Sequence, residues 1–422
     1  MGSFNLQPYK IGIPQSKLDD LKARVASDPL PPVTFEGKHE RYGVTRDWMS
    51  QLKTAWEAFD WSKEEARLNS FSNYQGTVEH AGHSIRLHFI SEQCTANPEA
   101  MPLLLLHGWP GSFLEFTGSI KYLKQHFHVV VPSLPGYLFS ELPDDMDFSP
   151  MDVAATMNEL MVNLGYSQYF VQAGDWGAMV ARLMAVYFSE CKAIHLNFSP
   201  VLPIDSYLAP VMPSVLRLRT PQIVKTLTTP LSSLAGLILP PPDQLGLSAR
   251  DRELMARSNR WNKTGRAYAI EHATRPSTIA HALSASPLAL AAWIGEKLLE
   301  WTDESPPMDE ILALLTAWWT TDTYARSIYA YRHSFGNQPN TKHFERQCYI
   351  RVPFGYSSFP KEILPCPKRW VATSGNLLWY REHTRGGHFA AWERPEAFSE
   401  DLRDCFAQLA KAGNISFANS KL

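Results

Sequence analysis

Gln172-Ala173-Gly174-Asp175-Trp176-Gly177 ends an apolar run, and a helical pattern starts at once, with Met179, Leu183, Met184 and Tyr187 at helical spacing. Small residues stand on both sides of Asp175 in a small-x-Asp-x-small pattern. A strand-to-helix turn of this kind strains its central residue and pushes the side chain outward, so bulky neighbours do not fit. This is the spacing of a nucleophile elbow, whose usual occupant is Ser. An acid in that place forms an ester with an alkylating carbon instead of an acyl-enzyme. Which electrophile is attacked, and what hydrolyses the ester, are left to the rest of the chain.

Working outward, the elbow sits in a strand–helix alternation. Gly76–Ala81 and Ile85–Ile90 read as a hairpin around Ala81-Gly82-His83. Strand-like runs follow at Leu103–Leu106, His128–Pro132, Tyr169–Gly174 and Ala193–Asn197, separated by helical patterns near Ser112–Gln125, Met151–Leu164 and Trp176–Ser189. Such alternation predicts a mostly parallel sheet with helices on both faces. After Ser199-Pro200-Val201 the rhythm stops, and residues 202–340 read as helix and loop rich in Pro and Trp. Strands resume at Tyr349–Phe354, Arg369–Thr373 and Leu377–Tyr380, and a helix over Pro395–Ala412 closes the fold.

Residues 1–70 are helical and broken by prolines. Ser16-x-x-Asp19 and Ser62-x-x-Glu65 read as capping boxes, and a helix from Thr45 puts Trp48, Leu52, Trp56 and Phe59 on one face. The expected organisation is a meander over 1–73, a first core part over 74–201 and a helical lid over 202–340, inserted after the sixth strand. A second core part over 341–412 and a tail over 413–422 complete it.

Composition narrows the classes of partner. The 422 residues carry a net charge of −2, with 45% hydrophobic and 12% aromatic residues and no basic stripe. Nucleic acid and anionic membrane surfaces are therefore poor partners. No apolar run is long enough to span a bilayer, and the start has no basic-then-apolar leader, so secretion is not expected. Cys94, Cys191, Cys348, Cys366 and Cys405 are odd in number and show no metal spacing, which reads as reduced structural thiols. The chain ends in Ser420-Lys421-Leu422, a receptor-read peroxisomal address at a free terminus.

An elbow nucleophile needs an acid and then a histidine downstream. Of 14 histidines, His388 in Arg385-Gly386-Gly387-His388-Phe389 lies in the last core loop, where that histidine belongs. His383 is nearby but lacks the glycines, and His195, His272 and His281 read as packing or surface residues. Glu362, after the Tyr349–Phe354 strand, has the right interval for the acid, though spacing alone balances this against a carboxylate at a helix start. Glu382 is too near His388 to orient it from another strand end. In His107-Gly108-Trp109-Pro110-Gly111, a backbone N–H could pair with that of Trp176 as an oxyanion hole. The two indoles are then pocket walls or ordinary core.

These stretches resemble the α/β-hydrolase-fold epoxide hydrolases of the microsomal type, in particular their soluble fungal branch. The resemblance runs over almost the whole chain: Tyr42-Gly43-Val44 with Trp48, HGWPGS, Pro132-Ser133-Leu134-Pro135-Gly136-Tyr137, the Asp175 elbow, Thr274-Arg275-Pro276-Ser277-Thr278, Ser286–Trp293 and Gly386–Glu393. It implies Asp175 as nucleophile, His388 as base for ester hydrolysis and Glu362 as its orienting acid. Two lid tyrosines matching Tyr268 and Tyr331 would protonate the epoxide oxygen. It implies no metal and no organic cofactor, and a small apolar epoxide as substrate. The peroxisomal import receptor, through the tail, and a second copy in a homodimer complete the expected partners. A haloalkane dehalogenase shares the Asp elbow, with Trp176 as halide ligand, but Trp109 stands where its second halide donor belongs. A third reading is a binding or cyclising protein that releases no diol.

Overall fold

The computed structural model describes residues 4–201, 248–335 and 349–412 of the chain. Among the described residues nine strands form one sheet in the order β1-β2-β3-β5-β4-β6-β7-β8-β9. They are β1 (Gln7–Pro8), β2 (Asn73–His80), β3 (His83–Glu92), β4 (Pro102–Leu106), β5 (His128–Pro132), β6 (Tyr169–Ala173), β7 (Cys191–Leu196), β8 (Ile350–Ser358) and β9 (Gly375–Glu382). The β1–β2, β2–β3 and β3–β5 pairs are antiparallel, and every pair from β4 and β5 onward is parallel.

Every residue of β4, β5 and β6 is buried, because helices cover both faces of the parallel part. That is why these strands read as unbroken apolar runs. The covering helices are α4 (Thr117–Leu123), α5 (Pro150–Asn163), α6 (Asp175–Tyr187) and the long closing helix Pro395–Ala412. From β4 the chain crosses to β5 on one side and then to β6 on the other. The carboxyl ends of β4 and β6 are therefore a topological switch point, the place where an open α/β sheet leaves a crevice. HGWPG follows β4 and Asp175 follows β6, so both enter that crevice.

Between β7 and β8 the described part of the insert is helical: α7 (Ala249–Arg260), a π-helical turn Trp261–Gly265, α8 (Ala267–Thr274), α9 (Pro276–Ser284), α10 (Pro287–Glu300) and α11 (Met308–Thr321). The N-terminal helices α1 (Gln15–Ser27), α2 (Arg46–Ala58) and α3 (Trp61–Leu68) brace it. Trp56 Nε1–H donates to Thr316 Oγ1 at 2.9 Å, Lys17 Nζ donates to Thr320 O at 2.7 Å, and Ser286 hydrogen-bonds Asp28. Trp48 packs so closely on α10 that a Cβ at Gly295 would stand 2.4 Å from its ring. Among the described residues no single helix is long and apolar enough to cross a membrane.

Several sequence expectations are corrected. The run Arg369–Thr373 is not a strand: it forms a short helix Lys368–Val371 and a 3-10 turn Ala372–Ser374. β9 pairs directly with β8, leaving no slot for another strand, and Pro367 supplies the helix start with Trp370 N–H bonded to its carbonyl at 2.9 Å. A short apolar run alone does not distinguish the two states. Ser16 does not cap α1, which begins at Gln15 after Pro14 with no side-chain cap. Asp60, not Ser62, caps α3, and Glu65 instead accepts from Trp61 Nε1 at 2.8 Å and Ile13 N at 3.1 Å. The two-residue β1 has no alternation to betray it and exists only as an edge pair of β2. Of the five cysteines, Cys94, Cys191, Cys366 and Cys405 are buried and free, and Cys348 lies outside the described residues.

Candidate active site

Asp175 has φ +45°, the left-handed region that non-glycine residues avoid. The neighbours show why the elbow needs small residues. A Cβ at Gly177 would stand 2.4 Å from Leu106 O, and one at Gly174 would stand 2.9 Å from the Asn197 amide. A Cβ at Gly108 would meet Asp175 Oδ1 at 2.1 Å, so the loop after β4 lies directly against the carboxylate. That approach lets Trp109 N–H donate to Asp175 Oδ1 at 2.8 Å.

His388 meets the other oxygen: its Nε2 is 3.3 Å from Asp175 Oδ2. Its Nδ1 lies 2.6 Å from Glu362 Oε1, which also accepts from Ile363 N–H at 2.6 Å. The imidazole loop is fixed by His388 N–H donating to Trp301 O at 2.9 Å. His388 and Glu362 are both buried. Burial opposes charge on His388, but the Glu362 and Asp175 carboxylates outweigh it and raise its pKa to about 10.

Tyr268, on α8, and Tyr331, in the turn Tyr329–Tyr331, lie across from the elbow. Their ring centroids are 5.9 Å apart, and both line one cavity with Asp175. Burial, and secondarily nearby negative charge including Asp175, push both phenols well above their ordinary range, so both keep their protons. The cavity measures about 400 Å³ and is walled by Trp176, Met179, Phe198, Trp261, Leu364 and Trp370. A volume of that order fits a small apolar ligand.

The two tryptophans part company. Trp176 borders the cavity and stands edge-on to Tyr331 at 4.9 Å. The Trp109 ring is fully buried behind the phenols, stacked on Tyr268 at 5.4 Å, and is not part of the large cavity wall. Glu382 and His383 stay outside the site: Glu382 is exposed, and His383 pairs with Asp401 at 2.6 Å behind the sheet. His195 is buried against Ser357 at 2.9 Å, whereas His281 is exposed.

Sequence reasoning missed a second, smaller cavity of about 10 Å³, room for one water, bounded by Asp175, His388, Glu115, Gln172 and Asn197. Glu115 Oε1 and Gln172 Oε1 are buried there with no hydrogen-bond partner among the described residues. Burial raises the Glu115 carboxyl to about 8. Its position four residues after Gly111 looks like any helix-start acid, so nothing local in the sequence marks it.

Comparison with known proteins places this geometry. The family model "Epoxide hydrolase N terminus" matches residues 6–116, and the model "alpha/beta hydrolase fold" matches residues 101–219. Epoxide hydrolase 1 of Sus scrofa is 31% identical, over 94% of this chain and 88% of the relative. The structure of Aspergillus niger epoxide hydrolase is 39% identical with a TM-score of 0.82, covering 96% of this chain and 97% of that one. The juvenile hormone epoxide hydrolase of the silkworm Bombyx mori is 25% identical with a TM-score of 0.79, covering 97% and 96%. An acid at a nucleophile elbow, a histidine and two phenols around an apolar cavity thus occur on a chain that belongs to the epoxide hydrolases of the α/β-hydrolase fold.

Proposed function

We propose that this epoxide hydrolase works through a covalent Asp175 ester. One arrangement carries the reading: Asp175 is held by the Trp109 amide on one oxygen and faces two protonated phenols across an apolar cavity. Oδ1 is occupied by that amide, so Oδ2 attacks the oxirane carbon and the carbon–oxygen bond of the ring breaks. The opening oxygen takes a proton from Tyr268 or Tyr331, an acid suited to a far more basic alkoxide. The phenolate regains its proton from the His388 imidazolium, which leaves His388 neutral.

Neutral His388, oriented by Glu362, then takes a proton from water. The small cavity beside His388, Glu115 and Gln172 has room for that water. Hydroxide adds to Asp175 Cγ, and the Trp109 amide, with that of Trp176, faces the resulting oxyanion. Collapse breaks the ester bond, gives a vicinal diol and restores the carboxylate and imidazolium. No external proton is consumed. The helical insert acts as a lid that carries both phenols, and the substrate is a small apolar epoxide.

Single turnover in heavy-oxygen water tests the route. Label is expected in the Asp175 carboxylate and not in the first diol released. Label in that first diol means that water attacks the epoxide directly. We also read Ser420-Lys421-Leu422, outside the described residues, as a peroxisomal address bound by the import receptor. A fluorescent fusion is expected to enter peroxisomes with the tripeptide and to stay out without it. A homodimer is the assembly state we propose, and sedimentation at two concentrations tests it.

A further inference from the structure

Behind the two phenols stands a fully buried histidine that the reaction above does not use. His272 follows Tyr268 by one turn of α8. Its ring is edge-to-face with Trp109 at 4.6 Å, Tyr331 at 4.7 Å and Tyr268 at 5.5 Å. Nε2 accepts from Trp293 Nε1–H at 3.0 Å and lies 2.9 Å from the Tyr324 hydroxyl. A nitrogen that accepts an indole N–H carries no proton itself, so the ring proton is on Nδ1. Burial, aided by the Lys297 cation, lowers the pKa of His272 to about 3, and it stays neutral across the working range. The charged groups of the neighbouring α10 are Lys297, 4.7 Å from the Tyr268 ring centre, its 2.6 Å partner Glu296, and Glu300 at the end of the helix.

These contacts differ from ordinary core packing in one respect. Hydrogen bonds from two separate elements fix the rotation of the imidazole, which pure apolar packing would leave free. The fixed ring then abuts Tyr331 on one side and Trp109 on another, and Trp109 is stacked on Tyr268 with 18° between planes.

We infer that His272 is a positioning residue for ring opening, setting the aim of Tyr268 and Tyr331 at the oxirane oxygen. The inference rests on the reading of those phenols as the acids. It concerns one half-reaction only, because the phenols act when the ring opens, and His388 with water acts afterwards. A misplacement on the order of 1 Å costs up to roughly a hundredfold in such a step.

The test uses the full-length enzyme and para-nitrostyrene oxide, with rapid quenching to measure ester formation and ester decay separately. His272→Gln keeps an acceptor without the ring, and His272→Phe keeps a ring without the acceptor. Both are expected to slow ester formation roughly tenfold to a hundredfold while ester decay is unchanged. Equal slowing of both steps, or loss of active sites with normal rates in the remainder, would mean a folding role and overturn the inference. Tyr268→Phe is run alongside. If it slows ester formation and neither His272 variant does, the inference fails and the phenol reading stands. If Tyr268→Phe leaves ester formation unchanged, the phenol reading fails and takes the inference with it.

Discussion

At the scale of single residues, the charge on His388 is a consequence of its two carboxylate neighbours. Burial alone would lower its pKa, yet Glu362 and Asp175 raise it to about 10. On the proposed route, esterification would neutralise Asp175 and remove its share of that raising, so the imidazole would become a base only after the nucleophile had been used. Asp175→Asn imitates the neutral ester. It is expected to abolish turnover and to lower the His388 pKa relative to the wild type, read from the histidine ring resonances across a pH titration. An unmoved pKa would show that Asp175 does not hold the imidazolium. His388→Ala leaves the ester without a base, so intact-protein mass spectrometry is expected to show the chain heavier by one epoxide. Tyr268→Phe and Tyr331→Phe each remove one proton donor, a loss of roughly a hundredfold in ester formation. Glu362 shows the limit of spacing: its interval to His388 fitted two roles equally, and only the fold brings its carboxylate to 2.6 Å from Nδ1, the contact that the proposed orienting role requires.

At the scale of elements, the elbow and the loop after β4 form one device. The left-handed turn at Asp175 and the contact at Gly108 put carboxylate and amide within 2.8 Å. Gly108→Ala would bring a Cβ against Oδ1, so turnover is expected to fall by at least about a hundredfold while the melting temperature changes little. A wild-type rate in that variant would mean the loop is free to retreat. Helix α5 offers a contrast remote from the chemistry. Ser149 and Asp152 make a reciprocal capping box there, and Ser149→Ala is expected to cost about 1 kcal/mol of stability with unchanged turnover. Caps of this kind depend on which acceptor is nearest the first free N–H. Sequence therefore misplaced the cap of α3 by two residues, from Asp60 to Ser62.

At the scale of the whole molecule, four buried histidines share one acid-sensitive property. Burial lowers His88 and His272 to about 3, and His107 and His195 to about 4. Below an unfolded value of about 6.5 the unfolded chain binds protons that the folded chain refuses, so stability falls as pH drops. Denaturant unfolding at several pH values is expected to show stability declining steadily from about pH 6.5 toward pH 4. A flat profile in that window would show that the histidines are protonated in the folded state. The brace between meander and insert acts at the same scale. Trp48 packs α2 on α10, and Trp56 and Lys17 tie α2 and α1 to α11, the helix that leads toward Tyr331.

The amino-acid sequence alone determined the elbow, the strand–helix alternation and the interruption after Val201. Each is a local matter of residue size, hydrophobic period and turn chemistry. The elbow and the alternation survive translation into the structure, and among the described residues the insert is helical from Ala249 onward. The strands β4, β5 and β6 were legible for the same reason, since burial on both faces demands unbroken apolar runs. What tertiary structure decided is everything that depends on residues far apart meeting. The fate of Arg369–Thr373 depended on whether the sheet had a free slot. The surroundings of Glu115 and His272 depended on what stands opposite them, which no periodicity records. Trp109 and Trp176 looked alike in the sequence, and only the packing around them made one a cavity wall and the other a buried support behind the phenols.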